Sequence, residues 1–360
     1  MHNTTVSLAL RNSPAIPEET RVRIQKIAEK MGYVPDPMLQ ALVAYRNKHT
    51  SKRQTQTLAY VTNWPTKWGW QSVTSHKKFY EGARCTAAQL GYQLEHFWLG
   101  EPGMSQRWLS HMLYHRGIKG VLLAAHEADC EPMDAMEWAR FSAIKLGNYP
   151  AEPSLHRVTI DAAGIVRTVL RQIFAAGYQR IGFIVPSGWD DFVARDLAAA
   201  FWVEQQRLLE EQRVPILYLP KNPHGEYAEE GREDSSVSDS FFQAWYHHHR
   251  PDVIVSSGPF AQTPLAKMGV SVPREVAFVD FSLEDATSGF SGVRLNCERV
   301  GEVAAEILTG HIAQNLCGTP VVPTATLVEG TWMNGATLPR LEDAASWRAE
   351  HAETAACVGA

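Results

Sequence analysis

The sequence lacks the features that mark membrane proteins, secreted proteins and disulfide-stabilised proteins. Its 360 residues contain no run of 18 or more apolar residues, so no membrane-spanning helix is expected. The N-terminus has no basic segment followed by an apolar block, so we expect no secretory signal. The few cysteines form no CxxC pair and are scattered along the chain, at Cys85, Cys130, Cys297, Cys317 and Cys357. We therefore expect no disulfide framework and no zinc site, and a protein of the reducing cytoplasm.

The motifs of common enzyme classes are also missing. The apolar segment 182–185 is not followed by GxGxxG, and the chain has no P-loop, GxSxG or HExxH. Three adjacent histidines at 247–249 point in different directions on a helix and cannot all bind one ion, so we interpret them as a solvated helix end. The acidic run at 226–234 is interpreted as a solvated loop. The sequence thus predicts no enzyme, no cofactor and no metal site.

Charge is distributed unevenly along the chain. The composition, 45% apolar and 20% charged, is that of a globular protein, and the length indicates two or three domains. The net charge is −5, but residues 1–53 carry a net +5 and the remainder a net −10. A basic head on an acidic body is expected when one end of a protein meets phosphate and the other does not.

The basic head contains two predicted helices. In residues 3–11 the apolar positions 6, 9 and 10 share one helical face, and a proline-containing turn ends the helix. Glu18 and Glu19 then open a second helix, because acidic residues favour the positive helix N-terminus. Gly32 ends it as a C-terminal cap.

A third short helix is predicted over residues 36–46, with Asp36 as N-cap and Pro37 in the first helical position. It is apolar on nearly every side and too short to be stable alone in water. It therefore requires a partner, which is either its dimer mate, DNA or both. The alternative is burial in the core of the body. Residues 47–57 are polar and are predicted to be a linker.

The body, residues 58–340, alternates strands with helices. The predicted strands are 58–64, 92–100, 119–125, 141–148, 157–164, 180–187, 215–220, 252–257 and 276–281, and the predicted helices are 79–91, 105–118, 165–176, 193–211, 236–248 and 297–315. Several strands are continuously apolar, which indicates parallel sheets covered on both faces. About ten strands are too many for one small sheet. The predicted class is therefore α/β with two doubly wound parallel sheets, preceded by a small all-α head. Residues 341–360 are predicted to be a disordered tail.

A family resemblance runs without a gap from Asn3 to about Val43. The stretch TVSLALRNSPAIPEETRVRIQKIAEKMGYVPDPMLQAL resembles the DNA-binding head of the LacI/GalR (lac-repressor) family, with its recognition helix, its ETR helix, its GY-x-P turn and its hinge helix. In the body, AAGYQRIGFI (175–184), VPREVAFVDFS (272–282), RVGEVAAEIL (299–308) and LVEGTWMNGAT (327–337) resemble segments of the same family.

The resemblance implies roles for head residues. Residues near the start of the recognition helix read base edges in the major groove; here these are Asn3, Thr4 and Leu8. Thr5 and Ser7 are implied to contact phosphates. Leu42 occupies the position of the hinge leucine, an apolar wedge that enters the minor groove and kinks DNA.

For the body, the resemblance implies the fold of periplasmic sugar-binding proteins, with two α/β lobes joined by three crossovers and an effector cleft. We expect lobe 1 at about 58–158 plus 290–323, and lobe 2 at about 159–289 plus 324–340. Effector residues are expected at the carboxyl ends of strands, namely Asn63, Asp161, Arg195, Ser257, Ser282 and Asn296. Tryptophans 64, 68, 70 and 189 are expected in loops, lining the cleft or packing against its rim.

Two departures from the family pattern concern the body. Ser257 replaces the usual Asn or Asp. Asp280-Phe281-Ser282 replaces Gly-(Phe/Tyr)-Asp, so the usual acidic ligand for sugar hydroxyls is absent from its position.

A third departure concerns the head, which in the family begins about a dozen residues earlier, with a bracing first helix. We hypothesise that Met1 is a mis-called start, because the rest of the head is intact and in register. A stop codon or frameshift immediately upstream would contradict this.

The sequence thus predicts a cytoplasmic homodimeric transcription regulator, a repressor, that binds a pseudo-palindromic operator and responds to a small-molecule effector such as a sugar or related metabolite. The alternative is a soluble small-molecule-binding protein that has lost DNA binding with the missing first helix.

Overall fold

The structure, a computed structural model, describes residues 3–10, 15–31, 56–126, 132–148, 152–219, 236–284 and 288–342. The predicted hinge helix at 36–46 with Leu42, the acidic loop at 226–234 and most of the predicted tail lie outside these ranges. Within them the helices are α1 (Asn3–Leu10), α2 (Glu18–Lys30), α3 (Thr74–Gln89), α4 (Gln106–His115), α5 (Ala162–Ala175), α6 (Ser187–Phe192), α7 (Asp196–Glu204), α8 (Ser236–His249), α9 (Gly258–Lys267) and α10 (Cys297–Gln314). The strands are β1 (Gln56–Asn63), β2 (Tyr92–Trp98), β3 (Gly120–His126), β4 (Ser142–Leu146), β5 (Arg157–Ile160), β6 (Ile181–Pro186), β7 (Leu217–Leu219), β8 (Val253–Ser256), β9 (Ala277–Leu283), β10 (Ser291–Arg294), β11 (Ala325–Val328) and β12 (Thr331–Met333).

The two head helices form as the sequence predicts. Helix α2 has Glu18 and Glu19 in its first turn and Lys30 in its last, which complements the helix dipole at both ends. Ala9 of α1 and Ile24 of α2 are buried. The side-chain amide of Gln25 donates a hydrogen bond to the Ala9 carbonyl at 3.1 Å. The two helices therefore pack against each other through one small apolar face each.

The chain divides into two compact units. The first comprises Met1–Thr159 and Cys297–Leu327, and the second Ile160–Asn296 and Val328–Ala360. The chain therefore passes between the units three times. Each unit contains one six-stranded sheet, with order β11-β5-β4-β3-β1-β2 in the first and β12-β10-β9-β8-β6-β7 in the second.

Parallel pairing dominates both sheets. The pairs β1–β2, β1–β3, β3–β4 and β4–β5 are parallel in the first sheet. In the second, β6–β7, β6–β8, β8–β9 and β9–β10 are parallel, and β10–β12 is antiparallel. The predicted α/β class with two doubly wound sheets is confirmed. In each sheet the earliest strand, β1 or β6, lies between the next two, which creates a switch point where ligands bind beyond the carboxyl ends of the strands.

Each unit has its own core. In the first, Val61, Leu109, Leu113 and Phe141 belong to one cluster of fully buried side chains on the α4 side of the sheet. In the second, the core includes Val169, Phe183, Phe201, Val255 and Val279. Continuously apolar strands such as β6 thus bury both faces, as parallel strands do.

Helices α3 and α10 of the first unit approach each other at two glycines. A Cβ atom on Gly82 would lie 1.9 Å from the Glu298 carbonyl oxygen, and one on Gly301 would lie 1.9 Å from the Phe79 carbonyl oxygen. No real Cβ fits at such distances. The two helices therefore pack backbone against backbone, which requires glycine at both positions.

Several element positions differ from the predicted boundaries. Gln56 and Thr57, expected in the linker, begin β1 and pair with Tyr92 and Gln93, because the parallel ladder extends beyond the apolar part of the strand. Strand β10, expected in lobe 1, pairs with β9 and β12 in the second unit, so the crossover follows Asn296. Leu341, expected in the tail, is bonded to the second unit, because its amide donates to the Ala176 carbonyl at 2.9 Å.

The elements that the sequence did not predict are α6, α9, β10, β11 and β12. Helix α9 contains Pro264, which in a sequence indicates a helix break. The others are only three to six residues long, too short for a periodicity to be recognised.

Candidate DNA-binding and effector-binding sites

Helix α1 carries the predicted DNA-contacting positions 3, 4, 5, 7 and 8. Thr5 and Leu8 are half-buried and Ala9 is fully buried against α2. At 3.6 residues per turn, positions 4 and 7 lie on the face opposite Ala9. The helical period thus separates positions 4 and 7 from the face of α1 that packs on α2.

Helix α2 adds positive charge to this head. Arg23, Lys26 and Lys30 are all exposed on its surface. Exposed Lys and Arg side chains neutralise phosphates, which supplies affinity without sequence specificity.

The switch point of the first sheet lies at the end of β1. Asn63 is the last residue of that strand and is half-buried. The loop that follows contains Trp64 and Trp68 and a 3₁₀ helix, Gly69–Ser72. This is the edge at which the sequence predicted effector contacts.

An aromatic cluster lies beside this edge, formed by Tyr60, Trp68, Trp70, Tyr80 and His96. The rings of Trp70 lie 5.6 Å from Tyr60, 5.3 Å from Tyr80 and 5.5 Å from His96. Trp70 is fully buried and contacts Tyr80 of α3, so of the two expected placements it takes the packed one rather than lining a cleft. Trp68 is 53% exposed and lies 4.7 Å from the His96 ring, so it presents an accessible aromatic face.

His96 is a polar member of this cluster that the sequence did not single out. Its Nε2 lies 2.8 Å from Thr62 Oγ1. Its Nδ1 and the hydroxyl of Tyr60 are buried and have no hydrogen-bond partner among the described residues. Burial, with a smaller contribution from Lys67, lowers the pKa of His96 to about 4. His96 is therefore neutral at physiological pH.

In the second unit, the structure brings together two of the predicted effector residues and one that was only noted as a departure. We call Ser257, Asp280 and Ser282 the serine–aspartate cluster. Ser282 Oγ lies 2.8 Å from Ser257 Oγ and 3.3 Å from Asp280 Oδ1. The three side chains come from the ends of β8 and β9, adjacent parallel strands.

The side chain of Asp280, on β9, caps the N-terminus of α9. Its carboxylate accepts hydrogen bonds from the Gly258 amide at 2.9 Å and the Ser282 amide at 2.8 Å. Burial raises its pKa, and these hydrogen bonds oppose the rise in part. The carboxylate missing at position 282 is thus present two residues earlier, on the same strand, but is used to cap a helix. Ser257 is buried and Ser282 is half-buried, so Ser282 carries the more accessible hydroxyl of the cluster.

Two other predicted effector residues have structural partners. Asp161 is the N-cap of α5, and its carboxylate accepts the Gly164 amide at 2.8 Å. Asn296 donates from Nδ2 to the Glu329 carbonyl at 2.7 Å and to Thr331 Oγ1 at 3.0 Å. These contacts fix the ends of α5 and β12.

Arg195 lies in a strained segment after α6. Ala194 and Arg195 both have left-handed backbones, with φ of 57° and 63°. The guanidinium is exposed and pairs with Asp191, Nε to Oδ1, at 3.1 Å. Two consecutive left-handed residues other than glycine are costly and tend to occur at functional sites.

Asp190 holds this segment in place, and the sequence did not reveal it. It is almost fully buried and accepts hydrogen bonds from the Ala198 amide at 3.1 Å and from the Tyr218 hydroxyl at 3.0 Å. Burial, together with Asp190, raises the pKa of Tyr218 to about 12. Asp190 precedes the segment by only a few residues, but its partner Tyr218 is distant in sequence, so no local pattern predicts the contact.

Trp189 packs against the core of the second unit. Its ring lies 5.9 Å from Phe260 and 6.3 Å from Phe281. The interpretation of a tryptophan packed at the rim therefore describes this residue best. In the described residues, no group of three or more His, Cys, Asp or Glu side chains is placed to hold a metal ion. No helix in the described part of the chain is long and apolar enough to cross a membrane.

Two family models match the chain. The model of bacterial regulatory proteins of the lacI family matches residues 3–36, and the periplasmic binding protein-like domain matches residues 170–337. No curated protein sequence matches the chain significantly.

Several solved structures share the fold. The transcriptional regulator CelR in complex with cellobiose is 19% identical, with a TM-score of 0.56 over 94% of this chain and 96% of that one. A lacI-family regulator from Rhizobium etli is 16% identical, with a TM-score of 0.61 over 79% of this chain and 100% of that one. The lac repressor dimer bound to operator and the anti-inducer ONPF is 13% identical, with a TM-score of 0.56 over 93% of this chain and 95% of that one. The chain therefore combines a head that matches the lacI family of bacterial regulatory proteins with a periplasmic binding protein-like domain.

Proposed function

We propose that this protein is a cytoplasmic, homodimeric, sequence-specific DNA-binding repressor controlled by a small-molecule effector, a sugar or a related metabolite. The observation that carries the proposal is the α1–α2 pair, which matches the family's DNA-binding head, joined to a body of two α/β units. A small-molecule-binding protein without DNA binding is not favoured, because it leaves the head match without a role. The proposal assigns no catalytic step.

In this proposal α1 enters the major groove. Asn3, Thr4 and Leu8 read base edges, and Thr5 and Ser7 contact phosphates. Asparagine pairs bidentately with adenine, and threonine bonds a base or touches a thymine methyl group. Leu42 supplies the wedge at the operator centre. Two copies place two recognition helices on a pseudo-palindromic operator.

The strand ends of the body suggest the effector class. Trp68 presents an exposed aromatic face at the edge of the first unit. The second unit contributes hydroxyl groups from Ser257 and Ser282. Aromatic faces and hydroxyl donors are the groups that suit a neutral sugar. The regulator CelR, which shares the fold, was solved with cellobiose. We propose Asn63, Asp161, Arg195 and Asn296, at or near other strand ends, as further effector contacts.

The experiment is selection of DNA from a random pool, followed by fluorescence-anisotropy titration at several salt concentrations. The expected result is one enriched palindrome that binds with a steep salt dependence. Asn3→Ala is expected to relax base preference at one position in each half-site, with a loss of about 1–3 kcal/mol of discrimination. Ser7→Ala is the matched control, because loss of a phosphate contact weakens all sequences alike.

A thermal-shift screen first finds sugars that raise the melting temperature of the protein. Each of these sugars is then added to the protein–DNA complex in the anisotropy assay. The expected result is a changed DNA affinity, and Leu42→Ala should weaken DNA binding while leaving the effector-induced thermal shift intact. Enrichment of no sequence, together with a clear thermal shift, would support the small-molecule-binding alternative instead.

A further inference from the structure

The first unit exposes a pair of histidines on α4 that has no part in the proposed function. We call His111 and His115 the histidine pair. They are four residues apart, so their side chains lie on the same face, one turn from each other. Both are exposed. Their ring centroids are 4.1 Å apart, and the two Nε2 atoms are 2.9 Å apart, within hydrogen-bond distance.

The distance between the two Nε2 atoms matches that between two neighbouring nitrogen ligands of one metal ion. Metal–imidazole nitrogen bonds are about 2.0–2.1 Å long, so two of them at a right angle place the nitrogens about 2.9 Å apart. A tetrahedral angle would require about 3.3 Å. We propose that the histidine pair is a bidentate surface site for a divalent transition metal of tetragonal preference, with Cu²⁺ and Ni²⁺ bound ahead of Zn²⁺. The Irving–Williams order points the same way for Cu²⁺.

Contacts on the other faces of α4 fix the backbone that carries the histidine pair. Ser105 caps α4, and its Oγ accepts the Trp108 amide at 3.2 Å. Leu109 and Leu113 fix the opposite face, since both are fully buried in the core of the first unit. The Ser110 hydroxyl accepts the Glu137 amide at 3.0 Å. Metal binding replaces the hydrogen bond between the two rings: the proton of the donating Nε2 moves to Nδ1 of the same ring, both Nε2 atoms then ligate the metal, and water completes its coordination.

The charges nearby set the expected strength. Arg107 lies one turn before His111 on the same helix, and its positive charge opposes a bound cation. Arg116 follows His115, but it is paired with the Glu95 carboxylate through contacts of 2.9 and 2.7 Å. Among the described residues no third metal-ligating side chain joins the pair. The site is therefore a two-ligand site that Arg107 weakens.

The adjacent histidines 247–249 at the end of α8 provide an internal comparison. His247 and His248 are consecutive, so their Cα–Cβ bonds diverge by about 100° around the helix. They lack the one-turn spacing that brings two ring nitrogens to the same ion. If metal binding depends on the one-turn spacing and not on the number of histidines, the metal will bind the histidine pair on α4 and not the histidines at 247–249.

The test is calorimetric titration of the full-length chain with Cu²⁺, Ni²⁺ and Zn²⁺, together with electron paramagnetic resonance of the Cu²⁺ form. We expect one Cu²⁺ site whose spectrum shows two imidazole nitrogens. His111→Ala and His115→Ala should each weaken this site at least about ten-fold. Arg107→Gln should tighten it, because a like charge is removed.

The control is the double variant His247→Ala/His248→Ala, which should keep the site. Wild-type affinity in His111→Ala, or an equal loss in the control variant, would overturn the proposal and assign the binding to scattered histidines. Melting curves of the metal-free variants check folding, and they should overlay that of the wild type because both rings are exposed.

Discussion

The two α/β units have the same strand order but different chemistry at corresponding strand ends. In the first unit, the edge near β1 and β2 is aromatic, with an exposed Trp68 whose ring lies tilted against that of a neutral His96. In the second, the ends of β8 and β9 bring together two hydroxyls and a largely buried carboxylate. The repeated fold thus determines where side chains can meet a ligand, and the residue types determine what each unit offers.

The units also differ in the type of titratable group whose pKa burial shifts: a histidine in the first unit and an aspartate in the second. Burial lowers the pKa of His96 and raises that of Asp280. In both cases the neutral form is favoured, because burial penalises charge. Since one group is a base and the other an acid, the same cause gives opposite dependences of stability on pH.

The largest effect is expected at the α3–α10 contact, which the second unit does not share. Gly82→Ala places a methyl group 1.9 Å from the Glu298 carbonyl oxygen, so the helices must separate. We expect the free energy of unfolding to fall by about 1–3 kcal/mol or more. Urea unfolding followed by circular dichroism measures it.

Gly310→Ala is the matched control, because it lies on the same helix α10 and a Cβ there meets nothing within 4 Å. It should stabilise the helix by about 0.5–1 kcal/mol. Similar destabilisation by both substitutions would mean that helix propensity, not the close approach, governs the contact.

This contact illustrates what the sequence can and cannot reveal. Apolar periodicity and caps predicted α2 and α10 almost to the residue, because those signals are local. Nothing local shows that Gly82 and Gly301 face each other across two helices, since more than 200 residues separate them.

The same limit applies to the candidate sites. The family pattern placed Ser257 and Ser282 at strand ends, and their Oγ atoms lie 2.8 Å apart. It did not show that Asp280 caps α9. Helix α9 itself was not predicted, because Pro264 within it indicates a helix break in the sequence. Asp190 and His96 were missed for a related reason: the partners that position them, Tyr218 and Thr62, lie about 30 residues away.

A smaller effect is expected at His96. Its folded-state pKa of about 4 lies below the usual 6.5, so the unfolded chain binds the proton more readily between these values. The stability contributed by neutral His96 is therefore present above pH 6.5 and is lost as the pH falls toward 4. His96→Gln should remove that part of the acid loss, because glutamine does not titrate and can still bond Thr62. Melting temperatures across this range measure the difference, and parallel curves for the two proteins would contradict the assignment.

The smallest effect is expected at Asp280, with the opposite sign. Its folded-state pKa is raised above the usual 3.8, so the folded chain holds the proton more tightly. The resulting stability is fully present below pH 3.8 and is lost as the pH rises through the raised value. Asp280→Asn should flatten this dependence and lower stability at neutral pH by about 1 kcal/mol, because the amide replaces one hydrogen-bond acceptor.

Ser282→Ala sharpens the test of Asp280. The Ser282 hydroxyl donates to the carboxylate at 3.3 Å and helps to lower its pKa. Removing that hydroxyl should raise the pKa further and move the loss of stability to higher pH, whereas Asp280→Asn abolishes the loss. Denaturant midpoints measured from acid to neutral pH distinguish the three proteins. If Ser282→Ala shifts the loss toward lower pH, the hydroxyl does not stabilise the carboxylate, and burial together with the two backbone amides determines the pKa of Asp280.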